Sequence, residues 1–161
     1  MSTRGVVWIH SAPSALCPHI EWALGGILGM PTRLDWAPQP AERGSYRAEL
    51  TWHHAPGTAA AIASAFAKWG RLRFEVAEEP TTGGEGQRYS FTPSLGVFHA
   101  QTGAEGEVLV NEHRLRAALA HGERGLAVRL DHLLGTAWDD ELEVFRHAGD
   151  GAPVRWLNAV G

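Results

Sequence analysis

Tyr46, Ala48, Leu50 and Trp52 alternate with Arg47, Glu49, Thr51 and His53, a period of two that specifies a strand with one apolar and one charged face. Such a strand needs a sheet, and the segments on either side supply one. Gly5 to His10 is a β-branched and aromatic run that reads as a buried strand, followed by a turn and helix-start cluster at Ser11, Ala12, Pro13 and Ser14. Leu16, Ile20, Ala23, Leu24, Ile27 and Leu28 recur at helical spacing until Gly29 and Pro31 stop them. Leu34 and Trp36, alternating with Arg33 and Asp35, give a short strand before the long one. Beyond Pro56 and Gly57, Ala59, Ile62, Phe66 and Trp69 mark one side of a second helix that Gly70 closes. Leu72, Phe74 and Val76 then face the core while Arg71, Arg73 and Glu75 face away.

The order is strand-helix-strand-strand-helix-strand, so the expected class is α+β, with a ferredoxin-like β-α-β-β-α-β unit over residues 1–80. Thr81 to Gly86 is glycine-rich and polar, and reads as a linker. Residues 87–161 read as short strands plus C-terminal helices packed on that unit, so that 1–161 forms one domain. The strands are expected at Tyr89 to Phe91, Leu95 to Gln101 and Val108 to Val110. Asn111 is the expected N-cap of a helix carrying Leu115, Ala118 and Leu119. Leu126, Leu130, Leu133 and Leu134 form another stripe, and Thr136 with Asp139 resembles a capping arrangement for a last helix.

At 161 residues the chain can bury one sizeable core without disulfides. Its single cysteine, Cys17, offers neither an internal disulfide nor a zinc-type spacing, and a reducing cytoplasm is the expected location. Neither a signal peptide nor a membrane-length apolar run is legible, so secretion and membrane insertion are not expected. The formal net charge is −4, with the acidity concentrated in the second half and no cluster of basic residues. Affinity for nucleic acid comes from neutralising phosphates, so that class is set aside. Nine histidines include no His-x-His and no His-Glu-x-x-His; no metal site and no cofactor are expected.

Two places remain as candidate sites. The turn after the first strand gathers His10, Ser11, Ser14, Cys17 and His19 at a helix start, where free backbone N–H groups favour an anion or a carboxylate. A thiol there can be acidified by the helix dipole, so an enzyme using Cys17 with His10 or His19 as base is the alternative. Against both stands the plain expectation that Cys17 is a small core residue and His10 packs at a strand end. The second place is the polar sheet face, with Arg47, Glu49, His53 and Arg73, whose mixed charges suit cross-strand ion pairs; it serves either as a binding floor or as a face left to solvent or covered by the C-terminal half. No catalytic residue is assigned. Trp22 falls off the apolar stripe of its helix and, if exposed, marks an interface.

Arg4 to Ser14, Ala15 to Trp22 and Thr92 to Thr102 resemble an actinobacterial family known as domain of unknown function 3145. That resemblance covers nearly the whole chain and brings no activity with it. It implies a setting near fatty-acid synthesis, hence a partner or regulator there. A fainter likeness joins the first 80 residues to small-molecule sensing domains of the same β-α-β-β-α-β build, which bind ligands near the first strand-helix turn and pair with a second copy. Ala12 to Ala15 matches that turn only loosely, without the acidic residue and glycine such domains carry.

The sequence thus favours a non-enzymatic protein that binds an anionic small molecule or a protein partner in a regulatory role, as a candidate homodimer. The enzyme using Cys17 and a structural adaptor acting through exposed aromatic residues are the alternatives.

Overall fold

The computed structural model describes residues 1–147. Among these, seven strands form one open antiparallel sheet accompanied by five helices. The strands are β1 (Thr3–Pro13), β2 (Ala37–Pro38), β3 (Ser45–His54), β4 (Arg73–Glu78), β5 (Gly86–Thr92), β6 (Gly96–Thr102) and β7 (Val108–Leu109), in the order β2-β3-β1-β4-β5-β6-β7. The helices are α1 (Cys17–Leu28), α2 (Thr58–Ala67), α3 (Glu112–Ala120), α4 (Leu126–Leu134) and α5 (Thr136–Arg146), with a 3₁₀ turn at Ser14–Leu16 ahead of α1.

One face of the sheet carries the main core. Val7 and Ile9 of β1, Trp52 of β3, and Phe74 and Val76 of β4 pack against Ile20 and Leu24 of α1 and Ile62 and Phe66 of α2. Phe74 lies at the centre, edge-on to Phe66 at 5.3 Å and stacked on Phe91 at 5.3 Å, both favourable ring geometries. Alternation sends Trp8, Glu75 and Ser90 to the other face, where α5 lies and where Trp138 and Leu142 pack with Phe98 and Ala100. Trp8 and Trp52 are core residues as expected.

Several expectations change. The second strand is Ala37–Pro38, not Leu34 to Trp36, because the Leu34 N–H donates to the Glu21 carboxylate of α1 at 2.7 Å and so does not join a ladder. β1 runs on through Ser11, Ala12 and Pro13, which the sequence places in a turn. Thr81 to Gly86 is a tight hairpin connection, not a linker between separate sheets: Thr81 and Gly84 bridge, and β4 pairs directly with β5. Thr136 does not cap the last helix. Gly135 does, at φ 75°, as the single residue between α4 and α5. Asn111 caps α3 as expected, its Oδ1 accepting the His113 N–H at 2.8 Å.

The start of α2 has no capping side chain of its own at Gly57. Glu78, at the end of β4, supplies the acceptor instead: its carboxylate takes the N–H groups of Gly57 at 3.1 Å and Ala59 at 3.0 Å. A charged acceptor on otherwise unmet amide donors at a positive helix end fixes α2 to the sheet.

Candidate functional site

The face that holds α5 is built around buried charge. A bulge in β1 breaks its register with both neighbours between Ile9 and Ala12, so that two successive side chains, His10 and Ser11, find partners on this face. His10 Nε2 lies 2.9 Å from Glu75 Oε1. Arg146 comes down from α5 and donates to both oxygens of the same carboxylate, at 2.7 and 2.9 Å, and also to Asp139 at 2.9 Å. Asp139 Oδ1 in turn accepts from Arg88 of β5 at 2.7 Å. Glu75 is fully buried. Burial pushes its pKa up, but His10 and Arg146 outweigh that and bring it from 4.5 down to about 2. Burial acts downward on Arg146, and Glu75 and Asp139 overcome it, leaving that guanidinium firmly charged. Arg88 is different: burial holds its pKa below the ordinary value despite Asp139 and Glu75.

Around this network sit the ties that seat α5. Gln39 Nε2 bridges the His10 and Phe145 carbonyl oxygens at 2.7 and 3.3 Å. The Arg73 guanidinium stacks 4.3 Å over the Phe145 ring, and also reaches Ser11 Oγ and Glu42.

At the opposite end of the same face is a cavity of about 420 Å³. Its floor is Val6 and Trp8 of β1 and Ala77 of β4, with Arg88 of β5 at one side. Pro80 and the Thr102–Gly106 segment joining β6 to β7 complete the wall, and the lining is mostly apolar. A concave, mainly apolar space with a buried cation in its wall has the character of a small-molecule site.

The residues singled out from the sequence are distributed, not gathered. His10 and Ser11 join the buried network, whereas Ser14 and His19 are exposed on the 3₁₀ turn and α1. Cys17 packs into the main core on the other side of the sheet, and its thiol donates to the Pro13 carbonyl at 3.6 Å. Burial, with Glu21 nearby, pushes that thiol's pKa up, the reverse of what a nucleophile needs. The sheet therefore separates Cys17 from His10. On the polar face Glu49 and His53 are exposed, Arg47 and Arg73 are half-buried, and Glu75 lies within the network beside α5. Arg33 and Asp35 lie outside any strand. The residues that sequence reasoning missed are Arg88, Asp139 and Arg146. Arg88 falls on the inward phase of β5, which was a readable signal; that Arg146 would reach Glu75, 71 positions away, was not.

Among the described residues no cluster of three His, Cys, Asp or Glu side chains could hold a metal ion, and no helix is long and apolar enough to cross a membrane. A family model described as "Protein of unknown function (DUF3145)" matches residues 6–159. The chain belongs to the DUF3145 family. No curated protein and no solved structure matches it. The DUF3145 match takes in β1 from Val6 onward and the other described strands and helices, so the network and, apart from Gly5, the cavity lining lie within the family's span.

Proposed function

We propose that this DUF3145 chain is a non-enzymatic domain that binds a small molecule in the cavity beside Trp8, in a regulatory role. The observation that carries the reading is the cavity itself: about 420 Å³ of mostly apolar space over Val6, Trp8 and Ala77 of the sheet. His10 supports the site from behind through Glu75 and Arg146, while Ser14, Cys17 and His19 lie apart from it. The strand order β2-β3-β1-β4, with α1 and α2 on one face, supports a ferredoxin-like unit extended by β5 to β7 within one domain. A single cysteine kept as a buried thiol fits a reducing cytoplasm.

Titration of the ¹⁵N-labelled protein with indole, a flat apolar probe, tests the reading. Amide shifts are expected at Val6, Trp8, Ala77 and Thr102 to Gly106, and Ala77→Phe, which fills the cavity, is expected to abolish them. Shifts elsewhere only, or none at all, would sink it.

A second reading, association with a second copy, is favoured by Trp22. This side chain on α1 is 82% exposed and Met30 is 62% exposed, and together they border a groove of about 920 Å³. Gly26, one helical turn beyond Trp22, has open space beside it, so the same helix face leaves room for the Trp22 side chain of a second copy, as a self-complementary two-fold contact would use. Light scattering is expected to give a dimer mass for the wild type and a monomer mass for Trp22→Ala. A monomeric wild type at high micromolar concentration would remove this reading.

A further inference from the structure

We propose that the strip of β1 and β3 beside α5 is the docking surface for residues 148–161 of this chain, with the apolar stretch from Pro153 to Leu157 lying over Trp8. Trp8 is 5% exposed, yet among the described residues it belongs neither to the α1 and α2 core nor to the cluster of Phe98, Ala100, Trp138 and Leu142. An indole that large loses its water only beneath a substantial apolar cover. Its register partners do not give one. Glu49 of β3 is exposed, and Glu75 of β4 is turned to His10 and Arg146. α5 packs over β5 and β1, whereas the helix in contact with β3 is α1, on the opposite face. Alternation along β3 points Arg47 to the same side as Trp8, and both residues engage further partners.

α5 ends beside this strip. Arg146 rests on Glu75, and the Phe145 carbonyl accepts from Gln39, the residue after β2. Neighbouring strands lie about 4.8 Å apart and an extended chain advances about 3.3 Å per residue, so the residues just past His147 reach β3. Arg47 stands at that end of β3, opposite Ala37, and Glu49 and Thr51 follow opposite Trp8 and Val6. The sequence beyond His147 has the same order. Asp150 comes first, an anion for Arg47; Pro153, Val154, Trp156 and Leu157 follow, interrupted by Arg155, a cation that suits Glu49. The family model runs on through residue 159, so this segment lies within the family's span as the strip does. The cavity is a separate surface: it lies over β1, β4 and β5, takes no described residue of β3 into its lining, and adjoins the strip along Val6 and Trp8.

The test is a nuclear Overhauser experiment on the full chain, with ¹³C-labelled and unlabelled copies mixed so that contacts within one chain are separated from contacts between copies. Contacts within one chain are expected from the Trp8 ring protons to side chains between Pro153 and Leu157. A Trp8 ring that meets only residues up to His147 would overturn the proposal. Contacts to Pro153 through Leu157 that arise only between labelled and unlabelled chains would make a second copy the occupant, and would overturn it equally. This measurement needs no variant. In Trp156→Ala with Leu157→Ala, checked for folding by circular dichroism, a soluble gadolinium chelate is expected to relax the Trp8 ring several-fold faster than in the wild type, with Ile62 and Phe74 of the α1 and α2 core unchanged. Unaltered relaxation at Trp8 would show that residues 148–161 do not cover it.

Discussion

Arg146→Ala is expected to destabilise the chain by about 3–5 kcal/mol, because it leaves the Glu75 carboxylate fully buried with its main cation removed. Urea denaturation measures the loss. Truncation also frees the last turn of α5 from the sheet, so the packing of Trp138 and Leu142 on Phe98 and Ala100 should loosen with it. Replacing both members, Glu75→Gln with Arg146→Met, is expected to cost clearly less than Arg146→Ala alone, since no uncompensated charge remains. A double variant as unstable as the single one would show that packing, not charge, seats α5.

The same carboxylate governs acid stability. The pKa of Glu75 falls from 4.5 to about 2 on folding, so the unfolded chain binds its proton first as pH drops. The associated stability is complete above the unfolded value and is lost as pH falls through the folded one, an effect of about 3 kcal/mol between roughly pH 5 and 2. Glu75→Gln should flatten that part of the stability curve.

Gly5→Ala is the second large effect. Gly5 sits where β1 passes between β3 and β4, and a Cβ there would run into the Trp52 ring and the Ala77 carbonyl oxygen. A rotating side chain could not relieve the second contact, since it is backbone in the adjacent strand. A loss of about 3 kcal/mol or more in chemical denaturation is expected, at the upper end of what overpacking costs. Because Gly5 also borders the cavity floor, indole binding should weaken in whatever fraction still folds. A near-neutral Gly5→Ala would mean that β1 is not held between β3 and β4 in this register.

Much of the main core was legible because its periodicity is clean: Leu72, Phe74 and Val76 alternate without interruption, and all three are fully buried. The other face was harder to read. Its charged residues fit a solvated surface and one covered by the C-terminal half equally well, because a period of two says nothing about what covers a face. Glu75 is the case in point: polar in pattern, buried in fact. His10 and Ser11 were recognised as unusual, but for a helix start; the bulge that turns both towards the network has no signature in residue type alone. Leu34 failed as a strand residue because a side chain, Glu21, takes its N–H, a tertiary contact no local pattern encodes. The cavity was invisible for a related reason, being made of Val6, Trp8, Ala77 and Arg88 from three strands and closed by a turn from a fourth.

The most direct measurement of the central claim is a crystal structure of the chain soaked with indole. The account predicts density for one ring against Trp8 and Ala77, bounded by Arg88 and the Thr102–Gly106 segment. A cavity filled by the chain's own side chains, or an empty one in crystals saturated with indole, would contradict it.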